Sequence, residues 1–229
     1  MDILLVAATP FEIAGVSSWV RQHFQVSEDG IFSRNQLNIK ILIAGVGPVA
    51  TAWQMGRFFS LYRPDWAINA GVAGAFDPSL RLGEVVHVAR EQFADLGVEE
   101  ADGRFTDLFE LGLADADAMP FQAGFMENPG REQAAFLPLV NGLTVSKVHG
   151  NETSISAVRI KYPDAQVESM EGAAFFYACL QTGIPFMEIR AISNYVEPRN
   201  RAGWRLEEAV QNLNAVLIEI LQILENQEV

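Results

Sequence analysis

The 229-residue chain is 49% hydrophobic with a formal net charge of −13, which supplies material for one sizeable core and the wrong sign for a phosphate backbone. Its sixteen Lys and Arg form no dense cluster, so nucleic-acid binding is excluded in favour of a small-molecule partner. The single cysteine, Cys179, lies in an apolar helical pattern and reads as core, leaving no disulfide framework and no zinc set.

The amino-terminal run ILLVA (3–7) has strand length and is preceded by no basic leader, and no segment of the chain approaches ~20 apolar residues. A cytoplasmic protein without membrane contact is expected, as one domain over residues 1–229. An amphipathic helix over 12–24 follows, then a second strand, IKILIAG (39–45). The turn GVGPVA opens a helix at Pro48–Phe59, with Pro48 suited to its first turn. Those letters fit a dinucleotide pyrophosphate loop, but the acidic residue expected about twenty positions later should end the second strand. Asp65 instead precedes its strand, so a nicotinamide oxidoreductase would rest on Gly45, Gly47 and Ala50 alone.

The third strand, WAINAG (66–71), runs into a second glycine turn, NAGVAGAF (69–76). Backbone N–H groups there, at Gly71 and Val72, face no bulky side chain and suit a ribose or similar polar group. After EVVHVA (84–89), the stretch 91–137 is acidic, aromatic and rich in Gly and Pro, the composition of a long functional loop. Its Phe93, Phe105, Phe109, Phe121 and Phe125 argue for packing, either as an aromatic wall of a pocket or as satellite packing. GLTVS (142–146), a nearly all-apolar helix over 170–181, FMEIRAIS (186–193) and a covering helix over 206–224 complete the alternation. That alternation predicts an α/β fold with a largely parallel central sheet.

Three polar side chains fall at element ends. Glu12 follows the first strand, Glu171 begins the apolar helix, and Asn194 stands at the carboxyl edge of the last strand. Each has a bland explanation: an exposed helix-start carboxylate, a partner for a helix dipole, and a turn residue. The sharper expectation is that the three converge on one pocket at the sheet edge where open α/β folds bind ligands.

AATPFEI, AGVGPVA, INAGVAGAF, VESMEGAA and IRAISN, in this order, resemble the nucleoside phosphorylase and nucleosidase superfamily, and more nearly its methylthioadenosine/S-adenosylhomocysteine nucleosidase branch. Within that branch ESMEGAAFFYAC and IRAISNYVEPRNR are similar to the futalosine hydrolases. The resemblance implies a three-layer αβα sandwich around a mixed, partly barrel-like sheet, a homodimer or higher oligomer, and no cofactor. It implies hydrolysis of futalosine to hypoxanthine and the dehypoxanthine product, on the alternative menaquinone route. By position it makes Glu12 the base that activates water, Glu171 the ligand of the ribose hydroxyls, and Met170 the residue beneath the sugar. Asn194 falls where the purine N7 is handled, and Val148 and His149 fall where the backbone meets the purine.

The methylthioadenosine nucleosidases have Asp where this chain has Asn194. An acid there suits adenine, giving a proton to N7 and accepting from N6. An amide donates to an O6 carbonyl and accepts from a protonated N7, which suits hypoxanthine or guanine. Since an amide is no Brønsted acid, the N7 proton would have to arrive through water. Phe105 and Phe125 are expected to cover the 5′ tail of the substrate, and Arg104, Arg199 or Arg201 to pair with its carboxylate. A phosphorylase is disfavoured because neither glycine turn carries an Arg for phosphate and Glu12 would repel the anion. A nucleoside-binding protein without catalysis would not need the Glu12 base.

Overall fold

The computed structural model describes residues 1–226. In chain order its elements are β1 (Asp2–Ala7), α1 (Ala14–His23), β2 (Gln25–Val26), β3 (Phe32–Arg34), β4 (Leu37–Ile43), α2 (Pro48–Phe59), β5 (Trp66–Ala75) and β6 (Val85–Phe93). There follow β7 (Gly97–Glu99), β8 (Phe105–Asp107), β9 (Met126–Glu127), β10 (Leu139–Thr144), α3 (Glu152–Lys161), β11 (Val167–Ser169), α4 (Gly172–Thr182), β12 (Phe186–Tyr195) and α5 (Leu206–Asn226). None of these helices is long and apolar enough to cross a membrane.

Alternation along β1 divides the interior into two layers, because successive side chains of a strand face opposite ways. Ile3, Leu5 and Ala7 pack with Val16 and Val20 of α1 and Leu213 and Leu217 of α5. Leu4 and Val6 face the other way, onto Met55 of α2 and Phe175, Phe176 and Cys179 of α4. The sheet is therefore the middle of three layers.

Its strands run β11-β10-β6-β12-β5-β1-β4-β3-β2, and β11 also pairs with β5. That pairing closes β5, β12, β6, β10 and β11 into a barrel-like ring, with β1 to β4 extending from it. The β1–β4, β1–β5, β5–β12, β6–β10 and β10–β11 pairs are parallel, whereas β5–β11 and β6–β12 are antiparallel. The sheet is mixed, not largely parallel as strand–helix alternation alone predicts. No helix lies between β5 and β6, and without a crossover β6 runs back against β12.

The stretch 91–137 is also more ordered than its composition implies. It completes β6, forms the antiparallel hairpin β7–β8 and lays β9 against β6. Phe93 and Phe121 of this stretch pack against the core layer of α4; Phe109 stands edge-on to Phe121 at 5.1 Å, Phe121 tilts against Tyr177 of α4, and Arg90 lies 4.2 Å over Phe125.

Candidate functional site

Glu12 is held before α1 begins. Both the backbone N–H and the hydroxyl of Thr9 donate to its Oε2, at 2.9 and 2.8 Å, and the Val72 N–H reaches Oε1 at 3.4 Å. The side chain is 8% exposed, so the solvated helix-start reading fails. Gly71 leaves room beside it: a Cβ there would lie 3.0 Å from Glu12 Oε1 and 3.2 Å from Arg190 Nη1, so both groups would have to give way.

Glu171 sits at the N-cap of α4 but makes no cap hydrogen bond with its side chain. Its Oε1 instead accepts from the Gly47 N–H at 2.8 Å. Gly45 and Gly47 adopt φ of 86° and 91°, a backbone that side chains disfavour, and this turn aims the amide inward. A carboxylate thus holds the amide that a dinucleotide phosphate would need. Burial, the largest influence, pushes Glu171 above the usual carboxylate range, while Arg190 and the Gly47 amide draw it down and Glu12 pushes it further up.

Asn194 belongs to β12, which runs one residue past it. A bulge between Ile192 and Asn194 shifts the register, so that Asn194 pairs with Gly74 of β5. Bulges of this kind redirect a side chain at a sheet edge. The Asn194 amide oxygen accepts from Ser193 Oγ at 2.8 Å and its Nδ2 donates to the Tyr195 carbonyl at 2.9 Å.

Glu12, Val72, Val148, His149, Met170, Glu171 and Asn194 line one cleft of about 310 Å³, together with Thr9, Phe11, Glu168, Ser193, Tyr195, Arg199 and Trp204. Carboxylates and a thioether at one end and an amide with a carboxylate-bonded imidazole at the other suit a ligand with a hydroxylated part and a flat heteroaromatic part. Phe105 is not brought there. It lies in β8, its ring packs over Gly97 of β7, and Lys161 Nζ stands 5.9 Å from its centroid. Arg104 pairs with Asp102 at 2.7 Å, also away from the cleft. Arg199 does line it, and its guanidinium lies 5.4 Å over the Trp204 ring.

The sequence reading missed Arg190, which is 1% exposed and pairs in register with Gly71. Its Nη1 donates to Asn69 Oδ1 at 2.6 Å, and its Nη2 lies 2.8 Å from Glu188 Oε1, off the N–H direction, so that pair holds by charge. Behind it, Glu91 Oε2 accepts from Thr144 Oγ1 at 2.9 Å. A guanidinium therefore does reach the glycine turn, from a third strand, but Glu188 already balances it and Glu12 stands beside it. The available signal was a pair of charges at alternate positions, Glu188 and Arg190, inside an apolar strand. Among the described residues no group of three acidic, His or Cys side chains is placed to hold a metal.

The phosphorylase superfamily profile matches residues 2–225. A futalosine hydrolase of Streptomyces coelicolor is 34% identical over 191 residues, covering 81% of this chain and 80% of its own. One from Acidothermus cellulolyticus is 31% identical over 214 residues, covering 92% and 85%. The S-adenosylhomocysteine nucleosidase of Streptococcus pyogenes, solved with 5-methylthiotubericidin, superposes with a TM-score of 0.77 at 20% identity, over 100% of this chain and 98% of its own.

Proposed function

The chain belongs to the phosphorylase superfamily, and on that premise we propose that it hydrolyses the N-glycosidic bond of a purine nucleoside, futalosine, releasing hypoxanthine. The observation that carries this reading is the meeting of two buried carboxylates, Glu12 and Glu171, with the amide of Asn194 in one cleft. The likeness to futalosine hydrolases at 31–34% identity supports futalosine as the substrate.

In this reading Glu12 holds the attacking water on the side of the sugar opposite the base and takes its proton, a role that contributes ~10²–10⁴-fold. Glu171 accepts from the O2′ and O3′ hydroxyls, orienting the ribose and placing negative charge beside the oxocarbenium ion. Met170 lies under the sugar, and the Val72 N–H, near Glu12, offers a further donor. Arg190, buried beside Glu12, adds a positive charge behind the two carboxylates. Asn194 donates to O6. A 6-amino purine would set donor against donor there, a mismatch of ~1–3 kcal/mol. Arg199 is the cation available to the carboxylate of the 5′ tail. Pairing of two copies is supported by an apolar cleft of about 820 Å³ between α2 and α4, lined by Val49, Phe59 and Leu96 among others. Sedimentation would test it.

The deciding experiment is a purine-release assay on futalosine, inosine, methylthioadenosine and aminodeoxyfutalosine, each with and without phosphate. Phosphate-independent release, fastest from futalosine, is expected. A requirement for phosphate would replace hydrolysis by phosphorolysis.

A further inference from the structure

We propose that His149, held by Glu168, is the general acid that protonates the departing purine at N7, an inference that rests on the nucleoside reading above. That reading leaves the purine without an acid. Glu12 and Glu171 serve the ribose side, and an amide such as Asn194 does not release a proton at ordinary pH.

The sheet register puts a second polar group opposite the amide. Gly74 of β5 pairs with Asn194 of β12 on one side and with Glu168 of β11 on the other. A Cβ at Gly74 would lie 3.2 Å from Asn194 Nδ2 and 3.7 Å from Glu168 Cγ, so both side chains lean over the same face of a glycine. Val196 Cγ2 closes the same face at 3.0 Å, and Gly74, Asn194, Glu168 and His149 line one wall of the cleft, where the edge of a flat base would meet them.

Glu168 is 3% exposed and both its oxygens face His149: Oε1 accepts from the backbone N–H at 3.0 Å, and Oε2 lies 2.7 Å from Nδ1. A carboxylate on one ring nitrogen fixes the tautomer, offsets the charge of the doubly protonated ring and leaves the other nitrogen for the ligand. His149 lines the cleft, and its ring tilts against Phe76 at 6.5 Å. Its loop is also tied down, since the Arg199 N–H donates to the Gly150 carbonyl at 3.1 Å. Neither other histidine is placed to do this, because His87 is fully buried against Asn128, and His23 is bonded to the Trp19 carbonyl on α1.

The step balances. Water attacks C1′ and its proton passes to Glu12, while the C1′–N9 bond breaks with its electron pair left on N9. The Nε2 proton of His149 moves to N7, and the purine leaves neutral. Solvent then reprotonates His149 and takes the proton from Glu12. The remaining Asn194 N–H is free to hold O6, which lies beside N7 on the same edge of the base.

The test compares futalosine with its N7-methyl derivative, whose base leaves without needing a proton, in phosphate-free buffer. For His149→Gln the ratio of kcat on futalosine to kcat on the methylated substrate should fall by ~10²-fold or more relative to the unmutated protein. For Glu168→Gln it should fall by less. Equal losses on both substrates would mark a structural role and overturn the proposal, as would an unchanged kcat on futalosine. If the unmutated protein releases base from neither substrate, the nucleosidase reading itself fails; if it releases base and the ratio does not move, only the role of His149 fails.

Discussion

Glu171 accepts the backbone N–H of Gly47 at 2.8 Å, joining the start of α4 to the glycine turn before α2 across 124 residues of chain. Burial raises this carboxyl above its ordinary range, yet the proposed hydrolysis needs it ionised beside a sugar cation. The acid limb of the kcat/KM profile, which reports the free protein, is therefore expected to fall above the usual glutamate value of ~4.3. Glu171→Gln should lower kcat by ~10²–10³-fold and remove its own contribution to that limb, leaving that of the Glu12 base. A limb that the substitution leaves unmoved would show that Glu171 does not carry the ionisation.

Glu12→Gln keeps the size of the side chain and removes the base. Turnover should fall by ~10²–10⁴-fold while the Kd of a non-hydrolysable nucleoside, read by calorimetry, changes little. Gly71→Ala is a geometric companion, because its Cβ would lie 3.0 Å from Glu12 Oε1 and 3.2 Å from Arg190 Nη1. Displacing both groups should reduce kcat without changing the order of substrate preference. Retained activity in Glu12→Gln would mean that another group activates the water.

Asn194→Asp converts a donor into an acceptor at the base edge. The ratio of kcat/KM for futalosine over aminodeoxyfutalosine should shift toward the adenine substrate by ~10–100-fold, matching a mismatch of ~1–3 kcal/mol. A ratio that stays put would place discrimination elsewhere in the cleft.

How much of this was legible differs from element to element for physical reasons. α2 spans Pro48–Phe59 as read, because glycines and a proline fix its start. Glu12, Glu171 and Asn194 could be singled out because each stands at an element end. Arg190 stood out only as one of two charges at alternate positions in an apolar strand, because what brings it beside Glu12 is its register with Gly71 on a strand more than a hundred residues away. α3 buries only Ile155 and Val158, too narrow a stripe to show periodicity, although Asn151 caps it by accepting from the Thr153 N–H. The first half of β10 was missed because Asn141 and Gly142 look like a turn. Gly142 is there because a Cβ would sit 2.2 Å from Glu91 Oε1. Aromatic content announced packing in 91–137 but not its partner, and so Phe105 was assigned to the cleft when its ring covers Gly97.

Glu91 and Glu188 converge beneath Gly172, where a Cβ would lie 2.3 Å from Glu91 Oε1 and 2.6 Å from Glu188 Oε1. Burial pushes Glu91 well above the carboxylate range and the neighbouring Glu188 charge pushes it further, while Glu188 itself is raised by burial and held partly down by Arg190. A carboxyl whose folded pKa is raised contributes stability that is complete below its unfolded value of ~4.3 and is lost as pH rises through the folded value. The fold should therefore weaken as the medium moves from about pH 5 to about pH 8. Glu91→Gln keeps an acceptor for Thr144 Oγ1 and removes the ionisation. That variant is expected to be at least as stable as the unmutated protein near neutrality, with a flatter dependence of Tm on pH by calorimetry. If it keeps the full slope, or the unmutated Tm is level over this range, Glu91 is not the group whose proton the fold retains.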